Sequence, residues 1–262
     1  MPPNRREFIG LAAGSLAMTA LSSSLSLAAP SARFKAILFD AFPILDPRPV
    51  FALAEKLFPG KGAELSNAWR TRQFEYTWLR SISQKYEDFW KVTEEALVFA
   101  ATAQKLDLTA EKRDGLMQAY LELKAWPDVL PALKILKGSG VRMAFLSNFT
   151  AKMLEAGIKN SHLEGYFDRI LSTDRVMTYK PDPRAYQLGM DAFKLKREEM
   201  LFVAFAGWDA AGAKWFGYPT YWVNRLNMPV EQLGATPDAA GASLTDLLKF
   251  FKTFTRAVRL PI

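Results

Sequence analysis

Lys35-Ala36-Ile37-Leu38-Phe39-Asp40-Ala41-Phe42-Pro43-Ile44-Leu45-Asp46 decides how the rest of the chain is read. Residues 36 to 39 are apolar without interruption, the pattern of a short strand covered on both faces, and the run stops at a carboxylate. Such a strand delivers Asp40 to its C-terminal edge, where open α/β sheets bind ligands and gather reactive side chains. A lone Phe-Asp is also what a strand followed by a turn-capping aspartate looks like. The stretches farther along the chain decide between the two.

From residue 48 to 125 the apolar period changes from strand-like to helical. Val50, Phe51, Leu53, Ala54, Leu57 and Phe58 recur at spacings of three and four, as do Trp69, Phe74, Trp78 and Leu79, and Phe89, Val92, Leu97 and Phe99. Pro59-Gly60 breaks the first of these helices from the second. About eighty helical residues inserted after the first strand predict a cap. Within it, Arg70 and Arg72 stand among aromatics, an arrangement suited to holding an anion over an apolar pocket or to a surface salt bridge.

Pro127 and Pro131 reopen an alternating pattern. A helix over 130–136 ends at Gly138-Ser139-Gly140, and a strand over 141–146 delivers Ser147-Asn148. A third strand is predicted over 167–172, followed by a loop with Tyr179-Lys180-Pro181-Asp182. A fourth over 201–206 leads through Gly207-Trp208 to Asp209, and a fifth covers 219–223. Ser243 caps a last helix running to about residue 258. The predicted fold is α/β, a Rossmann-like doubly wound parallel sheet built from 33–47 and 126–262, with the helical cap of 48–125 inserted.

The 262 residues carry a net charge of +7 from 34 basic and 27 acidic side chains scattered without a long like-charged run, which argues against a nucleic-acid arm. The chain has no cysteine and one histidine, His162, in a polar stretch read as a loop or helix end. Cys/His zinc clusters are excluded, and chemistry rests on Asp, Lys, Arg, Ser or Asn. Residues 1–28 read as a twin-arginine signal peptide: Arg5-Arg6, a short apolar core over 9–21, and Ser26-Leu27-Ala28 before a cleavage point. The apolar core is shorter than the ~20 residues a bilayer span needs, so stable membrane insertion is not expected, and a periplasmic location is.

At these separations Asp40, Ser147-Asn148, Lys180 and Asp209 resemble the haloacid dehalogenase superfamily over residues 34 to 250 or so, and L-2-haloacid dehalogenases most closely. Trp69-Arg70, the stretch Glu75-Tyr76-Thr77-Trp78-Leu79-Arg80-Ser81, Tyr179-Lys180-Pro181-Asp182 and Trp208-Asp209-Ala210-Ala211-Gly212-Ala213 carry that likeness. The resemblance implies a hydrolase in which Asp40 attacks C2 of a short 2-haloacid with inversion and forms an ester that water then opens. It assigns the departing halide to Arg70, substrate orientation to Ser147 and Asn148, the ionisation of Asp40 to Lys180, support to Tyr186 and water activation to Asp209. It sets Phe42, Phe89, Trp208 and Tyr186 around the substrate. It implies no metal or cofactor, a small carboxylic acid as partner, and a homodimer. Two carboxylates at one edge both stay charged only with a cation such as Lys180 between them.

Phe42 stands where phosphatases of the superfamily carry their general acid, so phosphoryl transfer lacks its proton donor. Pro43-Ile44 replaces the family's Gly-Thr, Phe149 a glycine, and Phe205-Ala206 a Ser-Asn pair. Ile44 and Ala206 are expected to remove groups that hold the hydrolytic water, and Phe149 and Phe205 to narrow or reshape the pocket. A second reading follows from them: a catalytically weakened relative that binds a small anion or a protein partner.

Overall fold

The computed structural model describes residues 33–256. The apolar run forms β1 (Ala36–Phe39), all four residues buried, near the middle of a six-stranded sheet. The others are β2 (Arg142–Ser147), β3 (Arg169–Ser172), β4 (Met200–Ala204), β5 (Thr220–Val223) and β6 (Ala239–Gly241). Every neighbouring pair is parallel, in the order β3-β2-β1-β4-β5-β6. Ala36 lies opposite Arg142 on one side and Met200 on the other. The chain therefore runs from β1 out through β2 to β3 on one side, then crosses to β4 on the other, and a crevice opens beyond the carboxyl ends of β1, β2 and β4.

Side chains of β1 alternate between two apolar layers. Ile37 and Phe39 join the core with α5 (Val129–Gly138), α6 (Ala151–Asn160) and α9 (Leu244–Arg256). Ala36 and Leu38 join the core with α7 (Pro183–Phe193) and α8 (Gly207–Phe216). Gly189 lets α7 approach closely, since a Cβ there would come within 2.5 Å of the Leu38 side chain. The helix starts are capped by near neighbours, as expected at Ser243: Thr150 accepts from the Met153 amide, Asp182 from the Arg184 amide before Pro183, and Ser243 from the Asp246 amide.

Between β1 and α5 run α1 (Arg48–Leu57), α2 (Gly62–Ile82), α3 (Phe89–Ala103) and α4 (Ala110–Leu121). The chain leaves and re-enters the sheet layer side by side. Leu45 and Ala125 form an antiparallel bridge, the Asp46 amide donates to Lys124 and the Trp126 amide to Ile44. The helical segment and the sheet fall in one compact unit and share a continuous apolar core.

Two strand expectations are corrected and one strand is added. The fourth strand stops at Ala204, so Phe205 and Ala206 belong to the connection into α8, and the third begins two residues late, at Arg169. The sixth strand, Ala239-Ala240-Gly241, carries no β-branched or aromatic residue and left no period to read. Among the described residues no helix is long and apolar enough to cross a membrane. The predicted signal peptide, residues 1–28, lies outside the described residues.

Candidate active site

Asp40 follows β1 directly, and Ser147 ends β2. Asp209 sits in the first turn of α8, five residues past β4, where the helix dipole favours a carboxylate. Lys180 comes from the loop ahead of α7, eight residues beyond β3. The tertiary fold closes these distances. The Lys180 ammonium donates to Asp40 Oδ1 at 2.8 Å and to Asp209 Oδ2 at 2.5 Å, bridging the two carboxylates. Lys180 and Asp209 are each only 1 % exposed, so this is a desolvated chain of charges.

Each member is held by a further contact. Asp40 Oδ1 also accepts the Ser147 hydroxyl at 3.3 Å, and Oδ2 accepts the Phe42 amide at 3.3 Å. Asn148 Oδ1 accepts the Lys180 backbone amide at 3.0 Å and the Thr173 hydroxyl at 3.4 Å, while its Nδ2 is buried and has no partner. Asp209 Oδ1 accepts the Tyr186 hydroxyl at 2.7 Å. Burial by itself pushes the Lys180 ammonium down, but the carboxylates of Asp209 and Asp40 more than offset it and hold it above its ordinary value. Burial pushes Asp209 up to about 6 against the pull of Lys180. Burial and the neighbouring Asp209 keep the Tyr186 hydroxyl protonated, so toward Asp209 it acts as a donor.

The charges open onto a cavity of about 790 Å³. Arg70 reaches it from α2 and makes no hydrogen bond or ion pair among the described residues, an unpaired guanidinium in an apolar setting. Arg72 does not share that role: it pairs with Glu75 at 2.9 Å and lies over the Phe99 ring at 4.0 Å. Phe42, Phe89 and Trp208 line the cavity, as do Phe149 and Phe205. Phe42 touches both Phe149 and Phe205 edge-on or tilted, with ring centres 5.1 and 5.6 Å apart, so the phenylalanines build a wall and leave the cavity wide.

Two site expectations change. Tyr186 is fully buried behind Asp209 and does not line the cavity, so it reaches a substrate only through that carboxylate. Ile44 is fully buried in the core rather than facing the cavity; of the two positions read as having lost a water-holding group, only Ala206 lines it. Residues 41–45 form a tight turn, with the Ile44 and Leu45 amides bonded to Ala41, so strand alternation does not extend to Ile44. His162 is exposed in a turn with positive φ, as expected of a helix end. Thr173, Trp126, Trp222 and the loop after β5 were not legible as site residues, since each reaches the site only through the fold.

A model for haloacid dehalogenase-like hydrolases matches residues 32–217, from just before β1 through the turn that ends α8. The chain belongs to that family. The (S)-2-haloacid dehalogenase of Pseudomonas sp. (strain YL) is 41 % identical over 220 residues, covering 84 % of this chain and 95 % of its own. A solved L-2-haloacid dehalogenase is 42 % identical with a TM-score of 0.82, covering 84 % of this hydrolase and 99 % of its own chain. The L-2-haloacid dehalogenase from Xanthobacter autotrophicus, solved with chloropropionic acid covalently bound, is 31 % identical with a TM-score of 0.77 and matching coverage of 84 % and 98 %. Among the described residues no group of three or more His, Cys, Asp or Glu side chains could hold a metal ion, and the place between the two carboxylates is filled by the Lys180 ammonium.

Proposed function

We propose that this hydrolase removes halide from (S)-2-halo carboxylic acids through an ester on Asp40. The observation that carries the reading is the Lys180 ammonium bonded at once to Asp40 and Asp209. A purely structural ion pair has no use for a second carboxylate on the same buried ammonium, least of all one that, like Asp40, faces the cavity. An Asp40 oxygen attacks C2, the carbon–halogen bond breaks with inversion, and halide leaves toward Arg70. Water then adds to the ester carbonyl, Asp209 receives its proton, and Asp40 and an (R)-2-hydroxy acid are released. Ser147 and the Phe42 amide fix Asp40, Asn148 fixes Lys180, and Tyr186 fixes Asp209. The helical segment acts as a cap that brings Arg70 over the sheet edge. The covalently bound chloropropionic acid in the Xanthobacter relative supports an ester intermediate.

The assay is direct. Purified protein lacking residues 1–28 should release chloride from (S)-2-chloropropionate, leave the (R) acid untouched and keep its rate in the presence of a chelator. Release that needs added Mg²⁺, or an equal preference for both enantiomers, would contradict the assignment. The homodimer implied by the resemblance belongs to the same proposal, and sedimentation of that preparation tests it.

Export to the periplasm is a separate part of the proposal and rests on Arg5-Arg6 and the short apolar run that follows. Changing both arginines to lysine should leave uncleaved precursor in the cytoplasm, because the twin-arginine route reads the paired guanidinium groups. Unchanged export of the double variant would refute it.

A further inference from the structure

The cavity is far larger than the charges at its base require. A 2-haloacid as small as chloropropionate fills only the end beside Asp40, Arg70 and Lys180, whereas about 790 Å³ is the size of pocket that encloses a drug-sized ligand. The remainder is an outer chamber. It is lined by Phe51 of α1, Phe74 and Trp78 of α2, and Trp208 of α8, together with the loop after β5, through Leu226, Met228 and Val230. Trp208 meets Phe74 and Trp78 edge-on, with ring centres 5.2 and 5.6 Å away, so these three rings form a continuous aromatic surface.

The loop side is unusual because it is apolar and open. Leu226, Met228 and Val230 are 47, 53 and 45 % exposed, an arrangement that leaves apolar surface in water unless something covers it. The loop is nonetheless a built wall. Asn224 both donates to the Met228 carbonyl and accepts the Met228 amide, each at 2.8 Å. Its far end leans on the start of α8, where Gly207 leaves no room for a Cβ: one there would sit 2.7 Å from Glu231 Cγ. The outer chamber is thus anchored to the helix that carries Asp209 and is continuous with the site.

We infer that the natural substrate of this site is a 2-halo carboxylic acid whose C2 substituent is a long or aromatic apolar group, held in the outer chamber by the aromatic surface and the Leu226–Val230 loop. The inference rests on the dehalogenase reading and gives its substrate class. The tail is uncharged, because Arg48 and Glu75, which also line the cavity, are already paired with Asp46 and Arg72, and the aromatic rings and the Leu226–Val230 loop offer a second carboxylate no partner.

The test is a series of (S)-2-chloro acids from propionate through butyrate and hexanoate to octanoate, with 2-chloro-3-phenylpropionate and 2-chloroadipate. Alkylation of the protein is read by intact mass alongside chloride release. Reactivity per unit concentration should rise ~3-fold or more per added methylene, as burial of apolar area predicts, and the adipate should fall well below the hexanoate. Met228→Asp should lower the octanoate rate at least ~10-fold more than the propionate rate. Rates that peak at propionate or butyrate and decline with length would overturn the inference while leaving the dehalogenase reading intact. If no acid reacts, the dehalogenase reading fails, and tryptophan quenching by unhalogenated octanoate and propionate decides the chamber. Octanoate binding at least ~30-fold tighter than propionate would support it; equal binding would overturn it as well.

Discussion

Asp40→Asn is expected to lose halide release by about 10⁴-fold or more and to stay free of any adduct, whereas the unaltered protein should accumulate one. The amide keeps the shape of the side chain and its place beside Ser147 and the Phe42 amide but has no nucleophilic carboxylate. In the unaltered protein everything the first step needs converges: Asp40 held against the Lys180 ammonium, an unpaired Arg70 for the halide, and an edge lined by apolar rings. The second step is less well furnished. Both Asp209 oxygens already accept from Lys180 and Tyr186, and Ala206, on the cavity wall beside α8, offers no hydrogen bond to a water. Losing one positioning group of this kind slows a step by ~10²-fold, so the ester should outlive its formation. Intact-mass analysis after brief exposure to (S)-2-chloropropionate should find it on the peptide holding Asp40. Ala206→Asn should hasten its decay; Ile44→Thr should not, because that side chain faces the core. Decay should also slow about tenfold per unit as pH drops below about 6, where Asp209 takes up a proton and ceases to be a base, while alkylation persists. Turnover with no detectable adduct at any pH would mean that another group holds the water.

Lys180→Met should be nearly as damaging and should also weaken the fold. The ammonium is almost wholly buried and is the cation between Asp40 and Asp209, with the Phe202 ring 5.1 Å away closing its other side. Methionine fills the space but leaves two carboxylates facing each other without a counter-charge. Removing one partner from a buried pair typically costs about 3–5 kcal/mol. One of the carboxylates would then bind a proton near neutral pH, which removes either the nucleophile or the base, and halide release should fall by ~10³-fold or more. The sign of the pH effect follows. A carboxyl whose pKa is raised in the folded state gains stability as pH falls, so the deficit in the denaturation midpoint should be largest above pH 7 and shrink toward pH 5. Lys180→Arg should not rescue, since the planar guanidinium is wider than the channel the ammonium fills. A Met variant with an unchanged midpoint and unchanged activity would show that the two carboxylates are not charged together.

Much of this arrangement is written locally in the chain. The unbroken apolar run at 36–39 determined a buried strand and put Asp40 at its end; the period of three and four determined the helices from Val50 to Phe99; Thr150, Asp182 and Ser243 determined where later helices begin. These are contacts between near neighbours, so a linear pattern records them. The tertiary structure alone decided the rest, because periodicity says which side of a strand is apolar but not which strand lies beside it. Placing β4 next to β1 brings Asp209 within reach of a lysine twenty-nine residues earlier in the chain, and α2 carries Arg70 back over an edge thirty residues behind it. The turn at 41–45 sent Ile44 into the core, β6 formed from three residues with no strand character of their own, and the loop from Leu226 to Val230 became the wall of a chamber. In each case the deciding partner is distant in sequence, and side-chain type at one position carries no information about it.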